Sequence, residues 1–186
     1  MKGQLTGLRS GALGWIGALA LLLALAAPAH GATYQEDAVK AAFLYRFAAY
    51  VTWPPRPPDA TFTIAVLGSE TVAAQLERLL PHLRIQNRAA AVRRIASVEA
   101  LGDEQILYVA AGQHLAAKTL AEKARAHSIL VVTDDAGGLG TGAAINFVHV
   151  GRNLRFEISM TEAERDGLKI NSGLLAVATR VERNGS

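Results

Sequence analysis

Short apolar runs that alternate with helical stretches constrain the fold of this chain more than any other feature. Glu70–Leu80 carries apolar residues at helical spacing, and Leu115–Ala126 is a second predicted helix. The predicted strands lie before, between and after these helices: Phe62–Leu67, Ala89–Ile95, Gln105–Ala110 and Ser128–Thr133. This alternation predicts parallel strands joined by helices that cover both faces of a sheet.

The stretch Ala144–Ala178 is predicted to close that sheet. Ile145–Val150 is a buried strand by its composition, and in the next run apolar residues alternate with Arg155 and Glu157. Short helical segments broken by Gly167 follow. We therefore predict one α/β domain, a three-layer sandwich. It has a mostly parallel central sheet, a C-terminal antiparallel hairpin and helices on both faces.

Residues 1–29 have the pattern of a secretory signal peptide. Lys2 and Arg9 precede the apolar segment Gly11–Ala27, and Ala27-Pro28-Ala29 offers the small residues of a cleavage site. Cleavage there leaves a domain of residues 30–186. The alternative is an uncleaved anchor, because the apolar segment is near the lower length limit for spanning a membrane.

Charge and cysteine content argue against several functions. Without Lys2 and Arg9 the formal charge of +3 falls by two, which gives little support to nucleic-acid binding. The chain has no cysteine, which excludes a thiol nucleophile, a disulfide switch and a cysteine zinc site. The lipid-acylation site of a lipoprotein is also missing, so the processed domain is expected to be free of the membrane.

The polar motifs do not indicate an enzyme. The glycine-rich loop Gly137–Gly142 leads into a predicted strand, whereas a phosphate-binding loop opens a helix. Asp134 and Asp135 follow a strand, but no third carboxylate accompanies them, so turn chemistry is favoured over Mg²⁺ binding. No histidine spacing matches a metal site. We predict no catalytic, cofactor-binding or metal-binding residues.

Two sets of residues are candidates for binding. The first is a ligand pocket at the carboxyl ends of the parallel strands, where α/β domains bind ligands. Its residues are Gly68, Ser69, Asp134 and Asp135. The second is a surface for a protein partner, because aromatic and arginine side chains are enriched at interfaces. Its residues are Tyr45, Arg46, Tyr50, Trp53, Arg155 and Glu157.

The partner residues have structural alternatives. Glu36–Val51 is predicted as an amphipathic helix, ended by the prolines after Trp53. Its inward stripe consists of Val39, Phe43 and Phe47, widened by Ala42, Leu44, Ala48 and Val51. Tyr50 and Trp53 are alternatively residues that close the core. Arg155 and Glu157 share one face of their strand, and they are either solvated, paired or a partner surface.

Two stretches together resemble the YfiR family. Val39–Pro54, VKAAFLYRFAAYVTWP, is similar to the opening helix of that family. The segment from Ile145, INFVHVGRNLRFEISMTEAERDGLKINSGLLAVA, is similar to its closing signature. The resemblance implies a periplasmic, non-enzymatic α/β protein that represses a membrane-bound diguanylate cyclase and so lowers cyclic di-GMP and biofilm formation.

The resemblance also implies partners. They are the periplasmic sensor portion of an inner-membrane cyclase or other sensor protein, a second copy of the chain, and an outer-membrane lipoprotein that sequesters the repressor. The disulfides of the studied branch are absent, so redox control through disulfides cannot operate here. The alternative function is a small-ligand receptor that modulates a membrane partner.

Overall fold

The central feature of the fold is one eight-stranded sheet. The computed structural model describes residues 30–97, 100–113, 122–123 and 125–183. Residues Tyr34–Ser186 form one compact unit. The predicted signal peptide and most of the predicted helix Leu115–Ala126 lie outside the described residues.

The described helices and strands follow the predicted order. The helices are α1 His30–Tyr50, α2 Glu70–Leu79, α3 Met160–Arg165 and α4 Ser172–Leu175, with 3-10 turns at Leu80–His82 and Gly138–Thr141. The strands are β1 Val51–Thr52, β2 Phe62–Leu67, β3 Arg84–Ile85, β4 Arg88–Ile95, β5 Ile106–Val109, β6 Leu130–Thr133, β7 Ile145–Val150, β8 Asn153–Ser159, β9 Lys169–Ile170 and β10 Arg180–Glu182.

The sheet has the order β10-β8-β7-β6-β5-β2-β4-β3 and is mostly parallel. The predicted hairpin is confirmed, because β7 and β8 pair antiparallel with Phe147 opposite Phe156. Three pairings were not predicted. β3 pairs antiparallel with β4. β10 joins β8 in parallel, and β1 forms a separate two-stranded sheet with β9. The chain is therefore a mixed α/β protein, while the sandwich arrangement stays a prediction.

An aromatic cluster holds α1 against the sheet. Phe43 and Phe47 lie over Phe147 and Phe156, with ring centroids as close as 5.1 Å between Phe47 and Phe156. These side chains belong to the larger of two hydrophobic clusters. The smaller cluster includes Leu107. Because successive residues of a strand point to opposite faces, the two clusters lie on opposite sides of the sheet.

Helix α1 differs from its prediction in two ways. It begins at His30 rather than at Glu36, so its acidic residues are not in the first turn. Its inward stripe is confirmed at Leu44, Phe47 and Ala48, which are fully buried. The prediction is wrong at Val39, which is 39% exposed, and at Ala42, which is also exposed. Within the described part of the chain, no helix is both long and apolar enough to cross a bilayer.

Candidate functional site

Helix α1 covers the edge of the sheet where the parallel strands end. β2 ends just before Gly68 and Ser69, and β6 ends just before Asp134. At this edge an open α/β sheet usually binds its ligand, because strand ends and loops form a crevice there. In this protein side chains of α1 enter that region.

Lys40 is the centre of a buried ionic network at this edge. Its Nζ donates to Asp134 Oδ2 at 2.6 Å and lies 2.9 Å from Glu36 Oε1. The Tyr108 hydroxyl donates to the same Asp134 oxygen at 2.7 Å. Lys40 is 8% exposed and Tyr108 1% exposed. Since a buried charge is costly without partners, the network fixes α1 against β5 and β6.

The pKa shifts in this network follow from burial and pairing. Burial by itself lowers the pKa of Lys40, but hydrogen bonds to Asp134 and Glu36 outweigh it, so the pKa of Lys40 is raised. The pKa of Glu36 is lowered, because its bonds to Lys40 and His149 outweigh the effect of burial. Burial and the charge of Asp134 raise the pKa of Tyr108. Lys40 and Glu36 are therefore charged and Tyr108 is neutral across the physiological range.

A second polar contact joins α1 to the loop after β2. Ser69 is the N-cap of α2, and its Oγ accepts from the backbone nitrogen of Val72 at 3.2 Å. The Thr71 hydroxyl donates to Asp37 of α1. Ser69 thus has a structural role that the sequence analysis did not assign to it.

The predicted ligand pocket is partly filled by these contacts. Asp134 holds Lys40 and Tyr108, and Ser69 caps α2. Gly68 has φ +80°, a left-handed conformation that favours glycine. Asp135 is buried, and its Oδ1 accepts from the backbone nitrogen of Ala136 at 3.1 Å. A ligand at this edge would compete with α1, and its binding stays a prediction.

Metal binding finds no support in the arrangement of side chains. Among the described residues no three His, Cys, Asp or Glu side chains come together in a group that could hold a metal ion. The glycine-rich loop leads into the strand β7, as its sequence predicts. Within the loop, Gly138–Thr141 forms a 3-10 turn that was not predicted. A Cβ on Gly138 would lie 2.5 Å from Asn146 Oδ1, so only glycine allows this close approach.

The predicted partner residues do not share one surface in the structure. Some lie on α1, others lie on the opposite side of the sheet, and Trp53 lies in the core. Tyr45 is half-buried, while Arg46 and Tyr50 are exposed on α1. Trp53 is only 8% exposed, and its Nε1 donates to the carbonyl of Gln105 at 3.1 Å. Its position matches the alternative that it closes the core.

Arg155 and Glu157 lie on the side of the sheet opposite to α1. They alternate along β8 with Phe156, which packs under α1. Glu157 is half-buried and accepts from Arg180 of β10, at 2.9 Å between Oε2 and an Nη atom. Arg155 is exposed. Of the three alternatives, Glu157 is therefore paired, through a strand that the sequence analysis missed.

Sequence analysis also missed a buried carboxylate at the end of α3. Asp166 is 1% exposed, and neither of its carboxylate oxygens accepts a hydrogen bond among the described residues. Its counter-ion is Arg125, whose Nε lies 3.6 Å from Oδ1. Burial first, and then the charge of nearby Glu162, raise the pKa of Asp166 to about 7 against the lowering effect of Arg125. No motif marks Asp166, because its burial depends on residues far along the chain.

The fold defines a small mixed α/β domain in which side chains of α1 fill the edge where the parallel strands end. A family model described as YfiR/HmsC-like (DUF4154) matches residues 37–179, which is most of the chain. The chain therefore belongs to the YfiR/HmsC-like family, and the resemblance seen in the sequence is confirmed.

Two further comparisons add information on the fold. A conserved domain protein from Vibrio cholerae O1 biovar El Tor is similar in its crystal structure, with a TM-score of 0.51 and 14% sequence identity. The match covers 78% of this chain, which spans 60% of the length of that protein. At this identity the likeness concerns the fold alone. No curated protein matches the chain.

Proposed function

We propose that the protein is a periplasmic regulator that binds the sensor portion of a membrane-bound diguanylate cyclase and represses it. Membership of the YfiR/HmsC-like family over residues 37–179 carries this proposal. Export through the N-terminal signal sequence is part of it, since the sensor portion of such a cyclase faces the periplasm.

The filled strand edge favours a protein partner over a small ligand. Lys40 and Asp134 form an ion pair with each other at the position where a ligand would bind. Separating them would leave two buried charges unpaired, which costs several kcal/mol, about 3–5. A protein partner needs no such separation, because it binds exposed side chains.

The exposed side of β8 offers a place for this partner. Arg155 is exposed beside the Glu157–Arg180 pair, and it lies on the face that α1 does not cover. An arginine at the centre of an interface makes directed hydrogen bonds to carboxylates, which gives specificity. The expected partner surface is therefore acidic at the contact with Arg155.

Repression would operate as a shift of populations. A sensor with active and inactive conformations moves toward the inactive one when a protein binds that conformation more tightly. The size of the shift is set by the difference between the two affinities, not by the affinity itself. No chemical reaction on the regulator is needed.

The test is a deletion strain that retains its cyclase genes. Cyclic di-GMP should rise on deletion and return with the wild-type chain supplied in trans. Arg155→Glu should fail to restore repression, whereas Lys169→Glu, the same charge reversal at an exposed residue of β9, should restore it. Unchanged cyclic di-GMP on deletion would contradict the proposal. In a separate experiment, crosslinking from membranes would identify the partner, including any outer-membrane lipoprotein.

A second candidate function, a small-ligand receptor, has one observation in its favour. Asp134 Oδ1 is buried and accepts no hydrogen bond among the described residues. An amine ligand would satisfy it. Putrescine should then raise the melting temperature by mass action, while glucose should not. Equal melting curves with both compounds would remove this candidate.

A further inference from the structure

The outer edge of β4 is open for most of its length. β4 has eight residues, and it pairs with β2 over Ala90–Ile95. On its other side, β3 has two residues and covers only the beginning of β4. Before β3 the chain forms the 3-10 turn Leu80–His82 and so leaves the plane of the sheet. None of the described strands lies on the outer side of Ala90–Ile95.

The hairpin of β3 and β4 shows which backbone groups of this edge face outward. Gln86 and Asn87 have φ of +50° and +64°, so they form a two-residue turn whose flanking residues, Ile85 and Arg88, bond to each other. Successive residues of a strand direct their N–H and C=O groups to alternate sides. Among the described residues, no backbone group outside the sheet bonds to the outward-facing positions, which are Ala90, Val92 and Arg94.

This edge lacks several of the features that usually protect the edge of a sheet. Natural edge strands are short, contain proline or are interrupted by a bulge. The opposite edge strand, β10, has only three residues. The open part of β4 has six residues, no proline and an uninterrupted register with β2, and its first three side chains, Ala90 to Val92, are small and apolar. An open edge of this kind is a template for a strand from another chain.

The two faces of the sheet beside this edge differ in charge. On the side of α2, Val92 packs against the larger hydrophobic cluster. Arg94 lies on the same side, where it forms ion pairs with Glu70, at 2.9 Å, and with Glu77 of α2. Its positive charge is therefore compensated within the chain, and the α2 side offers an apolar position beside Val92.

The opposite face is basic. Arg93 lies there because side chains alternate along a strand, and Arg84 lies there because it is directly opposite Ala89. Arg93 is paired with the buried Glu104. Arg84 is exposed, and among the described residues its guanidinium contacts only the carbonyl oxygen of Asn87, at 3.3 Å. The charge of Arg84 is thus available to an acidic group.

We propose that the open edge of β4 binds an extended segment of a partner protein, with a carboxylate beside Arg84 and an apolar side chain beside Val92. In strand addition the main-chain hydrogen bonds supply affinity, and side chains at alternate positions supply specificity. A segment in which acidic and apolar residues alternate matches the two faces. A second copy of this chain is disfavoured, because two arginine-rich edges would repel each other.

The inference goes beyond the proposed function and does not rest on it. The candidate contact of that function, Arg155, lies on β8, and four strands separate β8 from β4 in the sheet. Loss of binding at β4 and loss of cyclase repression can therefore be measured separately.

A peptide titration with the full chain gives the first test. The probe is an acetylated peptide in which valine and glutamate alternate, and it should bind saturably in isothermal titration calorimetry. Methylation of its backbone nitrogens keeps the side chains but removes the donors, so the affinity should fall by about tenfold or more. Equal binding of the methylated peptide, or no saturable binding of the parent peptide, would overturn the proposal.

Variants of β3 and β4 give the second test. Val92→Pro removes an outward donor but no bond to β2, so it should weaken peptide binding by about tenfold. Arg84→Glu should weaken it by about threefold and favour a peptide with lysine in place of glutamate. Arg152→Glu, at the exposed turn between β7 and β8, should change neither. If Val92→Pro fails to fold, Arg84→Glu decides, and equal binding by Arg84→Glu and Arg152→Glu would overturn the proposal.

Cysteine crosslinking identifies what occupies the edge, because the native chain has no cysteine and hence no background. Ala91→Cys should form a disulfide with the peptide when its central glutamate is replaced by cysteine. Ala49→Cys, at an exposed position of α1, should react much less. Equal reaction of the two variants would overturn the proposal. Crosslinking between two copies of Ala91→Cys without peptide would also overturn it, because the edge would then belong to a second copy.

Discussion

Asp134 and Asp166 are both acidic side chains with little exposure, but they differ in the number and distance of the donors that surround the carboxylate. Asp134 accepts from the Lys40 ammonium and from the Tyr108 hydroxyl. Asp166 has an ion-pair partner only at 3.6 Å, in Arg125, and its oxygens accept no hydrogen bond among the described residues. Burial alone therefore does not determine how well a carboxylate charge is compensated, because the number and distance of its donors also matter.

The largest effect on stability is expected from removing Lys40, the cation that is paired with Asp134. Lys40→Met should lower the free energy of unfolding by about 3–5 kcal/mol, because it leaves Asp134 as a buried charge without its main partner. Urea unfolding at pH 7 measures this. Recovery of much of the loss in the double variant Lys40→Met, Asp134→Leu would show that the unpaired charge is its cause.

Around Asp166 the effect of a substitution on stability should depend on pH. The pKa of Asp166 is raised to about 7, so the stability associated with its protonated form is present at low pH and is lost as the pH rises through 7. Asp166→Asn should therefore gain stability relative to the wild type between pH 4 and pH 8, by roughly 2–4 kcal/mol.

Thermal unfolding of both proteins across this pH range checks the prediction for Asp166. Asp134→Asn is the matched control, since it replaces a carboxylate that is paired with Lys40. Its stability difference from the wild type should not turn in favour of the variant as the pH rises. A pH-independent difference for Asp166→Asn would show that the pKa of Asp166 is not raised in the folded protein.

A smaller loss is expected when Asp134 keeps its cation but loses its second donor. Tyr108→Phe should cost about 1.5–3 kcal/mol, the range for a hydrogen bond to a charged group. Chemical denaturation at pH 7 measures it, and Tyr45→Phe provides the same change at a half-buried tyrosine outside the network. Equal costs in the two variants would mean that the Asp134 bond adds nothing specific.

The smallest effect should come from an ion pair at the surface. Arg180 is exposed, and its pair with Glu157 links β10 to β8. Arg180→Ala should leave the free energy of unfolding nearly unchanged, because solvent and salt screen exposed pairs. A loss near that of Lys40→Met would show that the strand pairing of β10 depends on this contact.

The sequence predicts the strands well where hydrophobic runs are continuous. β2, β5 and β6 are buried along most or all of their length and β7 along its first half, and their composition alone identifies them. β9 and β10 have only two and three residues, too few for any periodicity to show. Their pairing is decided by the tertiary structure.

The contacts of the candidate site are harder to predict than its position. The strand ends at Gly68 and Asp134 follow from the alternation of elements. That Lys40 fills the site does not follow, because Lys40 and Asp134 are 94 residues apart. The wrong assignment of Val39 to the inner face has another cause. Helix α1 is apolar on both sides, so the apolar character of a residue does not indicate which side it occupies.

The contacts of α1 also affect the order in which the chain acquires its structure during synthesis. Its aromatic side chains find their partners on β7 and β8, and the bond between Glu36 and His149 joins residues 113 positions apart. Contacts of such long range form late and slow folding. A nascent chain that ends before Phe147 leaves Phe47 without its cover, so fragments truncated there should be prone to aggregation and proteolysis.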